Sequence, residues 1–357
     1  MLRLSQLRPV LAAMPKVDLH RHLEGSLRLE TLVEIAREHG LDLPSWDPEE
    51  LRPYVQIVDD PPDFHGFLAK FRLLRRFYSN REAVTRLAYE AVVDAANDNV
   101  KYLELRFNPV ALSAVQGFDY AEVTEWVIEA THRAESEHDI RVRLIVQIGR
   151  DESLSVARRV AEVAVAYQSG GIVGLDLAGD EVSHPAARFA DIFRWAKGQG
   201  LHITVHAGEA GPADNVRQAV ERLGAERIGH GVRAGDDPEL LQLLTQRAVT
   251  LEMCPTSNLQ TGVVVALSRH PLCDYHQAGV RVTINTDDPS ISNTTLTDEY
   301  AVALHAMGVT LPSLRRMIIN AARAAFLPDP ERQQLVDWFE QALPNYEAHP
   351  GASQIFA

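Results

Sequence analysis

Lys16-Val17-Asp18-Leu19-His20-Arg21-His22 reads as a short buried strand that ends on two imidazoles. Side chains alternate faces along a strand, so His20 and His22 point the same way, about 7 Å apart. Two imidazoles so placed at a strand end can converge on one metal ion. His-x-His alone is a weak signal. Downstream, however, His206-Ala207-Gly208-Glu209, His230 and Asp287-Asp288 each close another apolar, strand-like run. Core packing gives no reason for such residues to recur at strand ends.

Working outward from residues 16–20, further strand-like runs lie at 101–107, 142–148, 172–178, 202–206, 227–230, 249–254 and 282–287. Helical periodicity fills most of the gaps, at 121–138, 154–168, 185–198, 213–223 and 238–246. Strands alternating with helices imply parallel βαβ units. Eight of them predict an α/β fold, a closed (β/α)₈ TIM barrel, with an open doubly wound sheet as the alternative. No GxGxxG follows the first strand, which counts against a dinucleotide fold. Two features exceed a plain barrel. A helical insertion follows strand one at about 23–100, with patterns at 29–39, 64–78 and 81–97. Extra C-terminal helices follow strand eight, at about 297–342. Neither stretch has linker composition, so the expectation is a single barrel domain over 1–357.

The composition, 46% hydrophobic and 24% charged, is that of an ordinary globular protein. A net charge of −14 repels phosphate backbones and argues against nucleic acid as a partner. Cys254 and Cys273 form neither a disulfide framework nor a CxxC site, as expected in a reducing cytoplasm. No apolar run approaches the roughly 20 residues that span a bilayer, so no membrane partner is expected. Residues 1–16 carry Arg3, Arg8 and Lys16 but no secretory core, and are read as a short surface lead-in. The state of assembly is not encoded in any recognisable pattern.

Catalytic groups of such barrels sit at the C-terminal ends of strands. His20, His22, His206 and Asp287 there make an N₃O donor set that suits Zn²⁺. Glu209, three residues beyond His206, can serve as a general acid or base without being a ligand. His230 can be a ligand or can orient a water. Asp287 and Asp288 point in different directions, so one can bind metal while the other accepts a hydrogen bond from water or substrate. His202 is assigned to the core or barrel floor. His39, His65, His132, His138, His184, His270, His276, His305 and His349 are assigned to the surface, and Asp180-Glu181 to the N-cap region of the next helix. For Glu252 and Cys254 on strand seven, a structural carboxylate is as plausible as a functional one.

These motifs, taken in order, resemble the adenosine deaminase family. They are Met14-Pro-Lys-Val-Asp-Leu-His-Arg-His-Leu-Glu-Gly-Ser26, Gly174-Leu-Asp-Leu-Ala-Gly-Asp-Glu181, His206-Ala-Gly-Glu209, Gly229-His-Gly231, Glu252-Met-Cys-Pro-Thr-Ser-Asn258 and Asn285-Thr-Asp-Asp-Pro289. The resemblance implies one Zn²⁺ per chain, held by His20, His22, His206 and Asp287. It implies hydrolytic deamination of a small-molecule purine, adenosine or 2′-deoxyadenosine, by zinc-activated hydroxide. Glu209 would protonate N1 of the ring, and His230 and Asp288 would orient the nucleophile at C6. His22, Glu24, Gly179 and Asp288 would contact substrate, Gly179 through its N–H to N3. The strand that ends Leu177-Ala178-Gly179 lacks the bridging lysine of binuclear relatives, and the H-x-E…P-C-x-x-C signature of the smaller zinc deaminases is absent.

One position departs from the nucleoside branch. Glu24 stands where those enzymes have Asp against the ribose 5′-hydroxyl, and relatives acting on free adenine often have Glu. Asn285–Asn293 looks more like the nucleoside branch. Alternatives are therefore the same chemistry on free adenine or a 5′-modified adenosine, a different amidohydrolase, or a silent binding protein. Phe64, Phe67, Leu68 and Phe71 either form an apolar lid over the purine or pack the insertion onto the barrel.

Overall fold

The computed structural model describes residues 4–344. Its sheet has eight parallel strands in sequential order: β1 (Lys16–His22), β2 (Val100–Phe107), β3 (Arg141–Gly149), β4 (Ile172–Ala178), β5 (His202–Ala207), β6 (Arg227–His230), β7 (Thr250–Met253) and β8 (Arg281–Ile284). The α/β barrel expected from the sequence is thus present. Beyond β8 the chain closes back onto β1. Asp287 N–H donates to the His20 carbonyl and His22 N–H to the Asp287 carbonyl, each at 2.8 Å.

Strand alternation sorts the side chains. On β2, Leu103, Leu105 and Phe107 share one face, while Glu104 and Arg106 share the other. On β5, Ile203 and Val205 alternate with Thr204 and His206, and on β7 Leu251 and Met253 alternate with Thr250 and Glu252. The apolar set joins the continuous core under the outer helices. The polar set fills the barrel interior as a buried network, with Arg227 donating to Glu104 and Glu252 at 2.5 Å each.

Several boundaries differ from expectation. The eighth strand ends at Ile284, because the backbone turns to a φ of 63° at Asp287. The segment expected as one helix at 185–198 is a 3₁₀ turn, Ala186–Phe189, followed by the helix Ala190–Gly198. The one at 213–223 continues from Ala213–Gln218 into a π turn, Ala219–Leu223. The helix Phe64–Leu74 tightens into a 3₁₀ turn, Arg75–Phe77. The lead-in is no mere surface segment: it holds a helix, Leu4–Ala13, that buries Leu7 and Leu11. The insertion has a further helix, Pro48–Val55, capped by Asp47. The tail consists of the helices Leu296–Ala306, Leu311–Ala324 and Asp329–Ala342. Among the described residues no helix is long and apolar enough to cross a membrane. His349 lies outside the described residues.

Candidate metal and catalytic site

β1, β5 and the turn after β8 bring His20, His22, His206 and Asp287 to one point at the C-terminal end of the barrel, all buried. His22 Nε2 lies 3.3 Å from His20 Nε2 and 3.2 Å from His206 Nε2. Asp287 Oδ1 lies 3.1 Å from His20 Nε2 and 3.2 Å from His22 Nε2. Donors about 2.0–2.1 Å from a tetrahedral ion stand about 3.3–3.4 Å apart, so these spacings suit zinc.

The outer nitrogens of two ligands are held by carboxylates. His20 Nδ1 pairs with Glu252 Oε2 at 2.8 Å, and His206 Nδ1 with Asp176 at 3.0 Å. Each contact makes Nδ1 the donor and leaves the Nε2 lone pair facing the ion position. Arg106 reaches both carboxylates, Asp176 at 3.0 Å and Glu252 at 2.8 Å. Burial pushes both acids up, but His206 and Arg106 outweigh it for Asp176, and Arg106 and Arg227 do so for Glu252. Both stay ionised. Asp287 Oδ2 accepts from the Ser257 hydroxyl at 2.7 Å. Burial pushes His22 down to about 4 and also lowers His206, which favours the neutral rings a metal needs, whereas Asp287 and Glu252 outweigh burial and raise His20.

Glu209 is carried on the loop after β5. Glu181 braces that loop, its carboxylate accepting the N–H groups of Gly208, Glu209 and Gly211 at 2.9, 2.7 and 2.8 Å. This corrects the N-cap assignment: Asp180 does cap a turn, accepting from Val182 and Ser183, but Glu181 belongs to the site. Burial, then Asp287 and Glu181, pushes the Glu209 carboxyl well above its usual range. A carboxyl so shifted keeps its proton to higher pH than an exposed one, as a general acid requires. Burial, then Asp287, raises Asp288 likewise. Gly25 makes room for Asp288, since a Cβ there would lie 1.9 Å from Asp288 Oδ1. His230 adopts a φ of 61°, unusual for a residue with a side chain, and sets Nε2 3.5 Å from Glu209 and 3.9 Å from Asp287.

These groups open onto a cavity of about 290 Å³. Phe64, Phe67, Leu68 and Phe71 line it, and Phe67 and Phe71 also pack against the core. Gly179 forms part of its wall with a φ of 105°. A Cβ there would meet protein no closer than 3.6 Å, so it would fill the cavity instead. Buried oxygens without partners mark where a ligand would bond, among them Glu24 Oε2 and Asp288 Oδ1. A larger cavity of about 480 Å³ at the opposite barrel end, near Arg247 and Arg281, contains no such donor set.

The sequence did not reveal Asp176, Arg106 or Glu181, which act through other residues. His270 corrects another assignment: it is buried, not on the surface, and bonds Asn258 at 3.1 Å. A histidine followed by Pro271 at a helix start gives no periodicity by which to place it.

The adenosine deaminase family model matches residues 15–342. The adenosine deaminase of Erwinia tasmaniensis is 40% identical over 319 residues, 89% of this chain and 96% of that protein. The adenine deaminase of Arthrobacter aurescens superposes with a TM-score of 0.85 at 28% identity, over 92% of this chain and 99% of that one. A zinc-bound amidohydrolase from Burkholderia ambifaria superposes with a TM-score of 0.85 at 25% identity, over 94% of this chain and 93% of that one.

Proposed function

We infer the chemistry from one premise: the chain belongs to the adenosine deaminase family, and is a hydrolase that deaminates a 6-aminopurine nucleoside. The observation that carries the residue assignment is the meeting of a four-donor metal site, a buried Glu209 carboxyl and orphaned acid oxygens on one cavity. We propose that His20, His22, His206 and Asp287 hold a single zinc ion. Once bound, it supplies the Lewis acidity that makes a hydroxide nucleophile available near neutral pH.

The chain's own residues do the rest. Glu209 delivers its proton to N1 of the purine, which draws electron density from C6. Asp288, in its ionised form, takes a proton from the attacking water, which its raised pKa favours, and His230 orients that oxygen. A C6–O bond forms, the C6–N bond breaks, the proton that Asp288 took from water leaves with ammonia, and the new C6 hydroxyl returns its proton to the Glu209 carboxylate as the C6=O group forms. Gly179 offers its N–H to N3, where any side chain would intrude. Glu24 turns a partnerless Oε2 towards the sugar side, with its other oxygen tied to Asn108 N–H at 3.0 Å.

Free adenine or a 5′-modified adenosine is the second reading. Glu24 favours it, as does Arg75, which lines the same cavity with its guanidinium 5.6 Å from the Phe71 ring centre. The test is parallel deamination of adenosine, 2′-deoxyadenosine, adenine and 5′-modified adenosines, with zinc measured on the same sample. Adenosine preferred supports the nucleoside assignment. Adenine or a 5′-modified substrate preferred moves the protein to the second reading. No turnover with zinc fully loaded refutes both.

A further inference from the structure

His230 faces the site through Nε2, but what it does there depends on which ring nitrogen carries the proton. A chain of contacts that begins at a backbone amide answers this. Leu272 N–H points at His270 Nδ1, 3.2 Å away. A backbone N–H can only donate, so His270 Nδ1 is an acceptor. Burial pushes His270 down to about 4, so the ring is neutral and its single proton sits on Nε2. That nitrogen lies 3.1 Å from Asn258 Oδ1, which accepts it. The amide is thereby oriented, and its Nδ2, which can only donate, lies 3.0 Å from His230 Nδ1. A ring whose Nδ1 accepts a hydrogen bond cannot be doubly protonated. With Nδ1 accepting, its proton is on Nε2, facing Glu209 and Asp287.

We propose that His270 is a positioning residue: acting through Asn258, it fixes His230 in the Nε2–H form. In that form the inward nitrogen has no lone pair, so His230 is a donor to the attacking oxygen and not a fifth metal ligand. All three side chains are buried, which keeps water from offering an alternative partner. Asn258 stands on the helix Pro255–Gln260, while His270 follows a separate 3₁₀ turn. The relay therefore joins two loops at the barrel mouth and contacts no substrate. It rests on the deaminase reading only for its catalytic consequence, since the tautomer can be read without turnover.

The experiment is ¹⁵N NMR of zinc-loaded, histidine-labelled protein, with the His230 signals assigned by their loss in His230→Asn. Wild type should show Nδ1 unprotonated and Nε2 protonated. Asn258→Asp supplies a second acceptor, so the proton should move to Nδ1. In that variant kcat should fall by about a hundredfold or more, with zinc content and KM little changed. His270→Gln, which keeps a donor for Asn258, should retain wild-type signals, and His270→Leu should not. Protonated Nδ1 in wild type overturns the proposal, as does an unmoved proton in folded, zinc-loaded Asn258→Asp. Absence of turnover on every purine would refute the deaminase reading and leave the tautomer result standing.

Discussion

Glu252 Oε2 lies 2.8 Å from His20 Nδ1, although 232 residues separate them, and the contact joins the buried barrel network to the metal site. The same carboxylate also accepts from Arg106, Arg227 and Thr204. Glu252 thus keeps the His20 lone pair aimed at the ion and shares in the counter-charge of two buried cations, with Asp176 and Glu104. Glu252→Gln removes a charge from the middle of that network. The expected result is a zinc dissociation constant raised about 10–100-fold, measured by competition with a chelator. Unfolding free energy should fall by about 3 kcal/mol, because the two buried guanidinium groups are left with Asp176 and Glu104 alone as counter-charges. Unchanged zinc affinity would mean that the carboxylate does not tune the ligand.

Burial, then Asp287 and Glu181, pushes the Glu209 pKa up and favours its acid form. Glu209→Gln preserves shape but has no acidic proton to give. Turnover should fall by about 10²–10⁴-fold, with zinc content unchanged. In wild type, kcat/KM should decline on the alkaline side as pH rises through the raised pKa and the acid form is lost. Activity near the wild-type level in the glutamine variant would assign the acid elsewhere.

The barrel could be read from the sequence because each β-strand contributes a local, period-two signal and each intervening helix a period of 3.6. The metal donors could be read because they are chemically unusual residues at strand ends. What escaped acts at second hand. Asp176 and Arg106 occupy inward positions of β4 and β2, where the same alternation also accommodates ordinary core residues. Their roles exist only through contacts across the barrel, 30 residues to His206 and 146 to Glu252. Glu181 looked like a capping acid because loop chemistry is local, whereas its partners lie on the loop after β5. Strand eight ends at Ile284, short of 287, and Asp287 instead bridges to Arg21 of β1, a long-range pairing that no local pattern encodes.

Glu299 offers a pH test away from the reacting groups. It is buried, accepting from Thr256 N–H at 3.1 Å and from the Thr294 hydroxyl at 2.8 Å, and burial pushes it up to about 7. A raised carboxyl pKa means that the folded state holds the proton more tightly than the unfolded one. Its stabilising contribution is therefore full below the unfolded value of 4.5 and is lost as pH climbs through about 7. The loss is on the order of 3 kcal/mol. Urea unfolding at about pH 5 and about pH 8 should show that drop in wild type and a smaller one in Glu299→Gln. Equal drops in the two proteins would remove Glu299 as the source.

Glu24 bears on substrate choice. One oxygen is fixed by the Asn108 N–H, so the side chain cannot swing freely, and the other is buried without a partner beside the cavity. Tyr78, whose hydroxyl is also buried and unpartnered, lies near enough to be raised by the Glu24 charge, after burial itself. A sugar hydroxyl bonded to Oε2 would satisfy the acid, which a base without its ribose could not do. Glu24→Asp withdraws the carboxylate by about 1.5 Å, more than a hydrogen bond tolerates. If adenosine needs the shorter acid, its kcat/KM relative to adenine and to 5′-modified adenosines should rise about tenfold in the variant. If Glu24 is already matched to the ribose, the ratio should fall by a similar factor, because a made bond is lost and a buried oxygen is left open. An unchanged ratio would show that Glu24 does not contact the sugar, and would turn attention to Arg75, which lines the same cavity.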